Sequence, residues 1–331
     1  MRLLRVELLR FRSRALIRWG AAGAVLIGLL FVFGAYQSSA PVPQAEIDAA
    51  RADYDEAVAD WEENGAEYTA ECEEEEAAEK ENDPTVDFGC EDGGPGEWSD
   101  WIGGTSSFSD VGLELVDVAG VVYLMVALVL GVTFSAAEMS TGAISSWLTF
   151  EPRRRRVYWS KLAAAAIGVL PIVAVALGVV VGGAWLAFTL NDAQGSMTTG
   201  AWAGLAWVLA RTLLGAAAFA ALGVALGVLT RSTAGALGLV FAWLVVVEMI
   251  FGTMEFFGGL KRFLLAVNTQ AWVSGRATYY TETCVASDDR GIDCTYAEHV
   301  VPMTQGGLVL AVLVVVVCVT AAVTFRRRDI A

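Results

Sequence analysis

The chain has one histidine, His299, and three lysines, Lys80, Lys161 and Lys261, in 331 residues. One histidine cannot supply the His-Glu-x-x-His pair of a zinc hydrolase, and no Gly-x-Ser-x-Gly nucleophile elbow is present. A Gly-x-x-x-x-Gly-Lys phosphate-binding loop is also missing, which excludes ATP hydrolysis by that route. The two halves show no internal symmetry of the kind found in many secondary transporters. Charged residues make up only 18% of the chain, against 56% hydrophobic. No covalent chemistry, resident cofactor, metal centre or nucleic-acid partner is expected, and any energy for work must come from elsewhere.

What is present is segregated charge. The net charge is −15, yet 23 of the 37 acidic residues lie between 37 and 110, beside only two bases, Arg51 and Lys80. The rest of the chain is net positive, and such segregation points to two compartments. Arginine far outnumbers lysine, and alanine, valine and glycine dominate, a composition that suits a GC-rich bacterial genome. Six stretches have roughly the 20 apolar residues needed to cross a bilayer, near 19–36, 113–134, 162–188, 203–229, 235–252 and 306–325. The third holds Pro171, which removes a backbone donor and predicts a kink. Basic residues flank every second connection. They are Arg2 to Arg18 at the start, Arg153 to Arg156 with Lys161, Arg231, and Arg326 to Arg328 at the end. The expectation is an all-α, six-span protein of the bacterial plasma membrane with both termini cytoplasmic. Ser38-Ser39-Ala40 after an apolar run resembles a signal cleavage site. The run is longer than a signal's core, however, and Pro41 follows, so a retained span is expected.

Cys72 and Cys90 fall in the first outside loop, Cys284 and Cys294 in the last, and Cys318 in a span. Two local disulfides on the oxidising face are expected. In the first loop Ile47, Tyr54, Trp61 and Tyr68 recur every seven residues among acids, a helical stripe over about 25 residues. Asp83-Pro84 and Gly93-Gly94-Pro95-Gly96 then break the helix. A Cys72–Cys90 bridge folds that return segment back. The run Glu73 to Glu76 has the ligand type of a divalent-cation site, but acidic runs are usually just solvated.

The most informative stretch follows the second span: Glu138-Met139-Ser140-Thr141-Gly142-Ala143-Ile144, Trp147-Leu148, Pro152-Arg153 and then Lys161. It resembles the signature of ABC transporter permeases of the type-2 exporter class. There a Glu ends the second span, a short amphipathic helix follows, and a Pro-x-Arg turn leads to a Lys opening the third. Leu4, Leu8 and Phe11 among arginines look like that family's interfacial elbow helix, and Phe325 to Asp329 like its usual ending. Ala143 stands where Thr is common, Glu151 precedes the proline, and the first outside loop is unusually long. Ile144, Trp147 and Leu148 give the connection one apolar face. The resemblance makes residues 140–151 a coupling helix that docks on a separate cytoplasmic ATPase.

The layout implied is an elbow at 1–18, a first span at 19–36, an acidic insertion at 37–112 and a second span at 113–134. A coupling connection at 135–161, three spans within 162–252, an outside or re-entrant segment at 253–305, a last span at 306–325 and a tail at 326–331 complete it. The candidate coupling residues are Glu138, Gly142, Ile144, Trp147, Leu148, Pro152, Arg153, Arg154, Arg155, Arg156 and Lys161. The implied partners are two copies of an ABC ATPase, which bind ATP and Mg, a second permease and membrane lipid. Arg153 to Arg156 contact acidic residues of the ATPase or anionic headgroups, or serve topology alone. Glu138 either makes an ionic contact with basic residues at a hinge or simply reaches water.

Arg211 and Glu248 lie inside spans, where charges pair or face water. An Arg211–Glu248 pair lining or gating the outer path is one expectation, with Glu255 a further gate candidate, and a purely structural pair is the other. Gly178-x-x-x-Gly182 and Gly223-x-x-x-Gly227 suit close helix approach. Two rival functions stand beside the exporter permease. One is a membrane-anchored assembly or signalling protein that binds a partner through its acidic region, which has no need of the 138–161 connection. The other is an ion-coupled transporter, which wants facing intramembrane carboxylates.

Overall fold

The computed structural model describes residues 2–81, 86–90, 93–102, 106–140, 153–287 and 291–327. Six of its helices are long and apolar enough to cross a membrane. They are α2 (Ala15–Ser39), α5 (Phe108–Ser140), α6 (Arg154–Leu190), α7 (Thr199–Thr230), α8 (Thr233–Trp243, continuing as a π-helix over Leu244–Phe251) and α10 (Met303–Arg327). The amphipathic α1 (Arg2–Ser13) precedes them, and α3 (Gln44–Lys80) and α4 (Trp98–Trp101) fill the first long connection. A 3-10 helix (Glu255–Phe263), α9 (Leu265–Ser274) and the strands β1 (Arg276–Ser287) and β2 (Gly291–Pro302) fill the last. The six spans coincide with those expected from hydropathy, and the chain is a multi-pass, all-α membrane protein. The β-hairpin is an addition to that expectation.

The two centres of the bundle are α5 and α7. Two-thirds of α7's most apolar window is buried, against 6% for α8. Small residues make this possible. A side chain at Gly131 would sit 2.1 Å from the Ala220 carbonyl oxygen, and one at Gly223 2.1 Å from that of Leu128. Without a hydrophobic drive between helices in lipid, such backbone contact supplies the dispersion that holds spans together. Gly227 lies on the same seam, over Ser135, whose hydroxyl donates to the Val224 carbonyl (3.0 Å). Gly178 and Gly182 differ from expectation: among the described residues their open sides meet nothing, and Gly183 instead packs on Val32. Helix α6 runs unbroken through Pro171. Tyr123 ties α5 to α2 through the Ala24 carbonyl (3.1 Å), and Tyr158 ties α6 to α10 through that of Cys318 (2.8 Å).

The bundle has two unlike ends. At the basic end lie α1, the close of α5, the start of α6 and the end of α10. At the acidic end Phe108 packs edge to face on Trp185 and Phe188, and Trp202 adds a tilted ring, between α5, α6 and α7. From this end α3 extends for about 55 Å at 1.5 Å per residue. Tyr54 and Trp61 of its aromatic stripe are covered by its own return segment, while Tyr68 stays exposed. Tyr54 packs against Trp98 and Trp101, Arg51 lies over Trp98, and Trp61 sits against Gly93 and Gly94. Cys72 and Cys90 are disulfide-bonded, as expected, and Glu76 accepts from the Phe88 amide (2.9 Å) and pairs with Lys80. The hairpin pairs antiparallel from Arg276↔Pro302 through Cys284↔Cys294, where the second disulfide closes it. Its base, Ala277 and Val301, packs on Ala271 of α9.

Candidate functional site

At the basic end three elements bring charges together away from water. Helix α1 contributes Glu7 and Arg10, and Arg14 follows at the α1–α2 junction. Helix α5 contributes Glu138 near its last turn, and α6 contributes Lys161 two turns in. Glu7, Glu138 and Lys161 are each no more than 2% exposed. The Lys161 ammonium bridges both carboxylates, 3.0 Å from Glu7 and 2.6 Å from Glu138. Arg10 reaches Glu7 (3.6 Å) and Glu138 (3.5 Å), and Arg14 binds Glu138 directly. Arg14 also donates to the Phe134 carbonyl (2.7 Å), and the Phe134 ring faces both Arg14 and Lys161. Three cations thus surround two carboxylates in a low-dielectric pocket, where losing one partner strands the rest. Phe11 closes the cluster against Phe134, which explains why a basic, amphipathic α1 stays docked.

Of the sequence-predicted coupling residues, the structure joins Glu138 and Lys161, with Glu7, Arg10 and Arg14 as partners that the motif did not name. Gly142, Ile144, Trp147, Leu148 and Pro152 lie outside the described residues. Arg153, Arg155 and Arg156 are exposed where α6 begins, and Arg154 is half-buried. Positive charge at a helix N-terminus opposes the macrodipole, so helix stability does not account for these arginines. The segment 141–152 is therefore anchored on both sides by one ion cluster, with a row of exposed arginines at its exit.

The membrane-embedded charges near the acidic end behave otherwise. Arg211 and Glu248 are not an ion pair. Each holds one end of α9. The Glu248 carboxylate accepts from the backbone amides of Leu265 (2.8 Å) and Ala266 (3.0 Å), the first turn of α9, and from the Trp243 indole (3.0 Å). The Arg211 guanidinium lies against Gly275, the left-handed cap that ends α9, and reaches the Met303 sulfur (3.4 Å). The Trp272 indole donates to the Arg211 carbonyl (2.9 Å). An anion at a helix start and a cation at its end both complement the dipole. The sequence suggests an Arg211–Glu248 pair, but α9 stands between the two residues. Glu255 opens the 3-10 helix. Asp117 on α5 is an embedded charge that the sequence reading passed over. It lies within electrostatic reach of Arg211 and Ser274, and its Oδ1 is buried without a hydrogen-bond partner among the described residues. Its position five residues inside the expected second span was the available signal. On the hairpin Glu282 stands beside Cys284 and Cys294, but both sulfurs are spent in the disulfide, leaving one carboxylate.

The family model described as ABC-2 family transporter protein matches residues 11–330, nearly the whole chain. The chain belongs to the ABC-2 transporter family. Neither the curated proteins nor the solved structures gave a match. As an ABC-2 permease it is a membrane component of an ABC transporter rather than an enzyme, and the family in general associates with an ABC ATPase. The match covers α9 with its two end charges and, of the ion cluster, Arg14, Glu138 and Lys161, while Glu7 and Arg10 precede its first matched residue.

Proposed function

We propose that this ABC-2 permease is the transmembrane subunit of a bacterial exporter, coupled through residues 141–156 to a separate cytoplasmic ATPase. The observation that carries this reading is the ion cluster of Glu7, Arg10, Arg14, Glu138 and Lys161. It locks α1, α5 and α6 into one body on both sides of the segment, so a push on that segment moves two spans and the elbow together. Arg153, Arg155 and Arg156 offer charge to acidic residues of the ATPase. The basic end faces the cytoplasm by the bias of Lys and Arg in short flanks, with both termini there, and the acidic, disulfide-tied end faces outside. Two permeases, identical or related, act with two ATPases. ATP and Mg bind only to the ATPases, whose closure rocks the permeases. A protein that used its spans only as an anchor has no use for a cluster of three buried and two half-buried charges at the base of a connection.

The test is purification of the tagged full chain from its native membrane in mild detergent, with partners identified by mass spectrometry. The expected result is an ABC ATPase that is lost when residues 141–156 are scrambled at unchanged expression. Recovery of outside partners alone, while a control transporter keeps its ATPase, would end this reading.

A further inference from the structure

Between α5, α7, α8 and α10 lies a cavity of about 300 Å³, the lower end of the range for small-molecule sites. Every lining side chain is apolar apart from the indole N–H of Trp243. Three rings contribute to its lining, Phe219, Trp243 and Phe263, together with aliphatic side chains that include Leu239 and Leu313. Trp243 and Phe263 are about half exposed, so the cavity opens toward the surrounding membrane.

Glu248 stands at its rim. Two of the groups that line the cavity, Trp243 and Leu265, are the same groups that donate to its carboxylate. Among the described residues all donors to Glu248 are neutral, and no side-chain cation lies within ion-pair distance. The start of α9 supplies only about half a positive charge. A carboxylate at membrane depth thus keeps part of its charge beside an apolar, aromatic-lined space. This differs from Glu138, whose charge is met by three cations. Aromatic faces next to a carboxylate are the arrangement that recognises quaternary and tertiary ammonium groups, since the ring quadrupole and the anion both attract a poorly hydrated cation.

We propose that this cavity binds a hydrophobic ammonium cation, with its apolar body among Phe219, Leu239 and Leu313 and its nitrogen against the Trp243 ring, within electrostatic reach of the Glu248 carboxylate that the same indole holds. Taken with the permease reading it names the cargo class, and it rests on that reading for its role in transport, while binding itself needs no ATPase. Entry is lateral, from the membrane, because the open side of the cavity is formed by membrane-facing rings.

The experiment uses the purified full chain in phosphatidylcholine nanodiscs and radiolabelled benzyltrimethylammonium in equilibrium dialysis. Neopentylbenzene, the uncharged carbon isostere, is the competitor. Saturable binding of the cation is expected, with the isostere competing at least about tenfold less well. Glu248→Gln keeps the side-chain volume and is expected to lose about tenfold in affinity and most of the preference for charge. Leu313→Trp fills part of the cavity without altering Glu248 or its donors, and is expected to reduce binding to a similar extent. Absence of saturable binding to the unaltered chain overturns the proposal. So does equal binding of the cation and its isostere, a comparison that needs no variant to fold. An ATPase that fails to copurify while the cation binds removes the coupling reading and leaves the site. The converse removes the site alone.

Discussion

Glu138 and Glu248 both lie at membrane depth or beside it, and their charges are met by different means. Glu138, at the basic end, meets Lys161, Arg10 and Arg14. Glu248, toward the acidic end, meets two backbone amides and an indole. The first arrangement is a covalently scattered but electrostatically closed set, drawn from three helices. The second attaches a single helix, α9, to its surroundings by its ends. Closed charge sets resist the loss of any one member, because the remaining charges stay buried without a partner. End contacts on a short helix are worth far less, and can be exchanged.

The largest expected effect separates the two directly. Lys161→Met leaves Glu7 and Glu138 facing each other with only Arg10 and Arg14 nearby, and a loss of about 3–5 kcal/mol of stability is expected. Thermal unfolding in nanodiscs measures it. Adding Glu7→Gln and Glu138→Gln to Lys161→Met removes the stranded charges, so the triple variant should be more stable than the sum of its parts predicts. Simple additivity would show that the cluster is solvated in the membrane and does not act as one body.

A second variant asks whether the acidic insertion belongs to either set. Cys72→Ser with Cys90→Ser opens a loop of 18 residues, worth about 3 kcal/mol in chain entropy. Helix α3 packs on its own return segment, so the loss should stay inside the insertion. Faster cleavage there by a glutamyl endopeptidase, with an unchanged bundle melt, is expected. A bundle melt that falls with it would mean that the insertion braces the spans.

Smaller effects are expected at α9. Glu248→Ala removes the acceptor for two N-terminal amides and should cost about 1–2 kcal/mol. Arg211→Met, at the other end, should cost about 0.3–1 kcal/mol. The two contacts share no atoms and are separated by a ten-residue helix, about 15 Å, so their costs should add. A double variant much milder than the sum would mean that α9 detaches as a unit once either end is free. Strong non-additivity at Lys161 and additivity at α9 together would fix the contrast between the two ends.

The spans, their order and both disulfides were legible because hydropathy over 20 residues and cysteine spacing are local signals. The Glu138 contact was legible in kind, since an acid at a span end beside basic flanks has few partners. Glu7 was not, because a lone acid among the arginines of α1 reads as a solvated residue until α1 is seen docked on Phe134. The Arg211–Glu248 pair failed for a geometric reason. Depth in the membrane can be counted from sequence, but the helix that intervenes, α9, is too short and interrupted to be placed by periodicity. The hairpin was missed although Thr278 to Thr283 carries the β-branched and aromatic residues of a strand, because the same stretch follows an amphipathic segment that resembled a re-entrant helix. The Gly178 and Gly182 spacing illustrates the opposite error: a small-residue pattern marks a face able to pack closely, and says nothing about whether this chain packs there.

The smallest effect tests whether a third acid, in the acidic insertion, is held by its partners as the other two are. Glu76 in α3 is held below its ordinary value of 4.5, first by the hydrogen bond from Lys80 and then by the Phe88 amide. Lys80 is correspondingly raised above 10.5, chiefly by Glu76. A depressed carboxylate contributes stability above its unfolded value and loses it as pH falls through the folded one. A raised lysine contributes below its unfolded value and loses it as pH rises through the folded one. The tie between α3 and its return segment should therefore be insensitive to pH between those two ordinary values and weaken beyond either. The nitrogen resonance of Phe88, in protein labelled at phenylalanine, reports the acid limb. It should hold constant down to the ordinary carboxylate range and shift only below it, while Glu76→Gln shifts it at neutral pH. A shift centred within that range would show Glu76 to be an ordinary solvated acid. The return segment would then be held to α3 by the disulfide and the aromatic stripe alone.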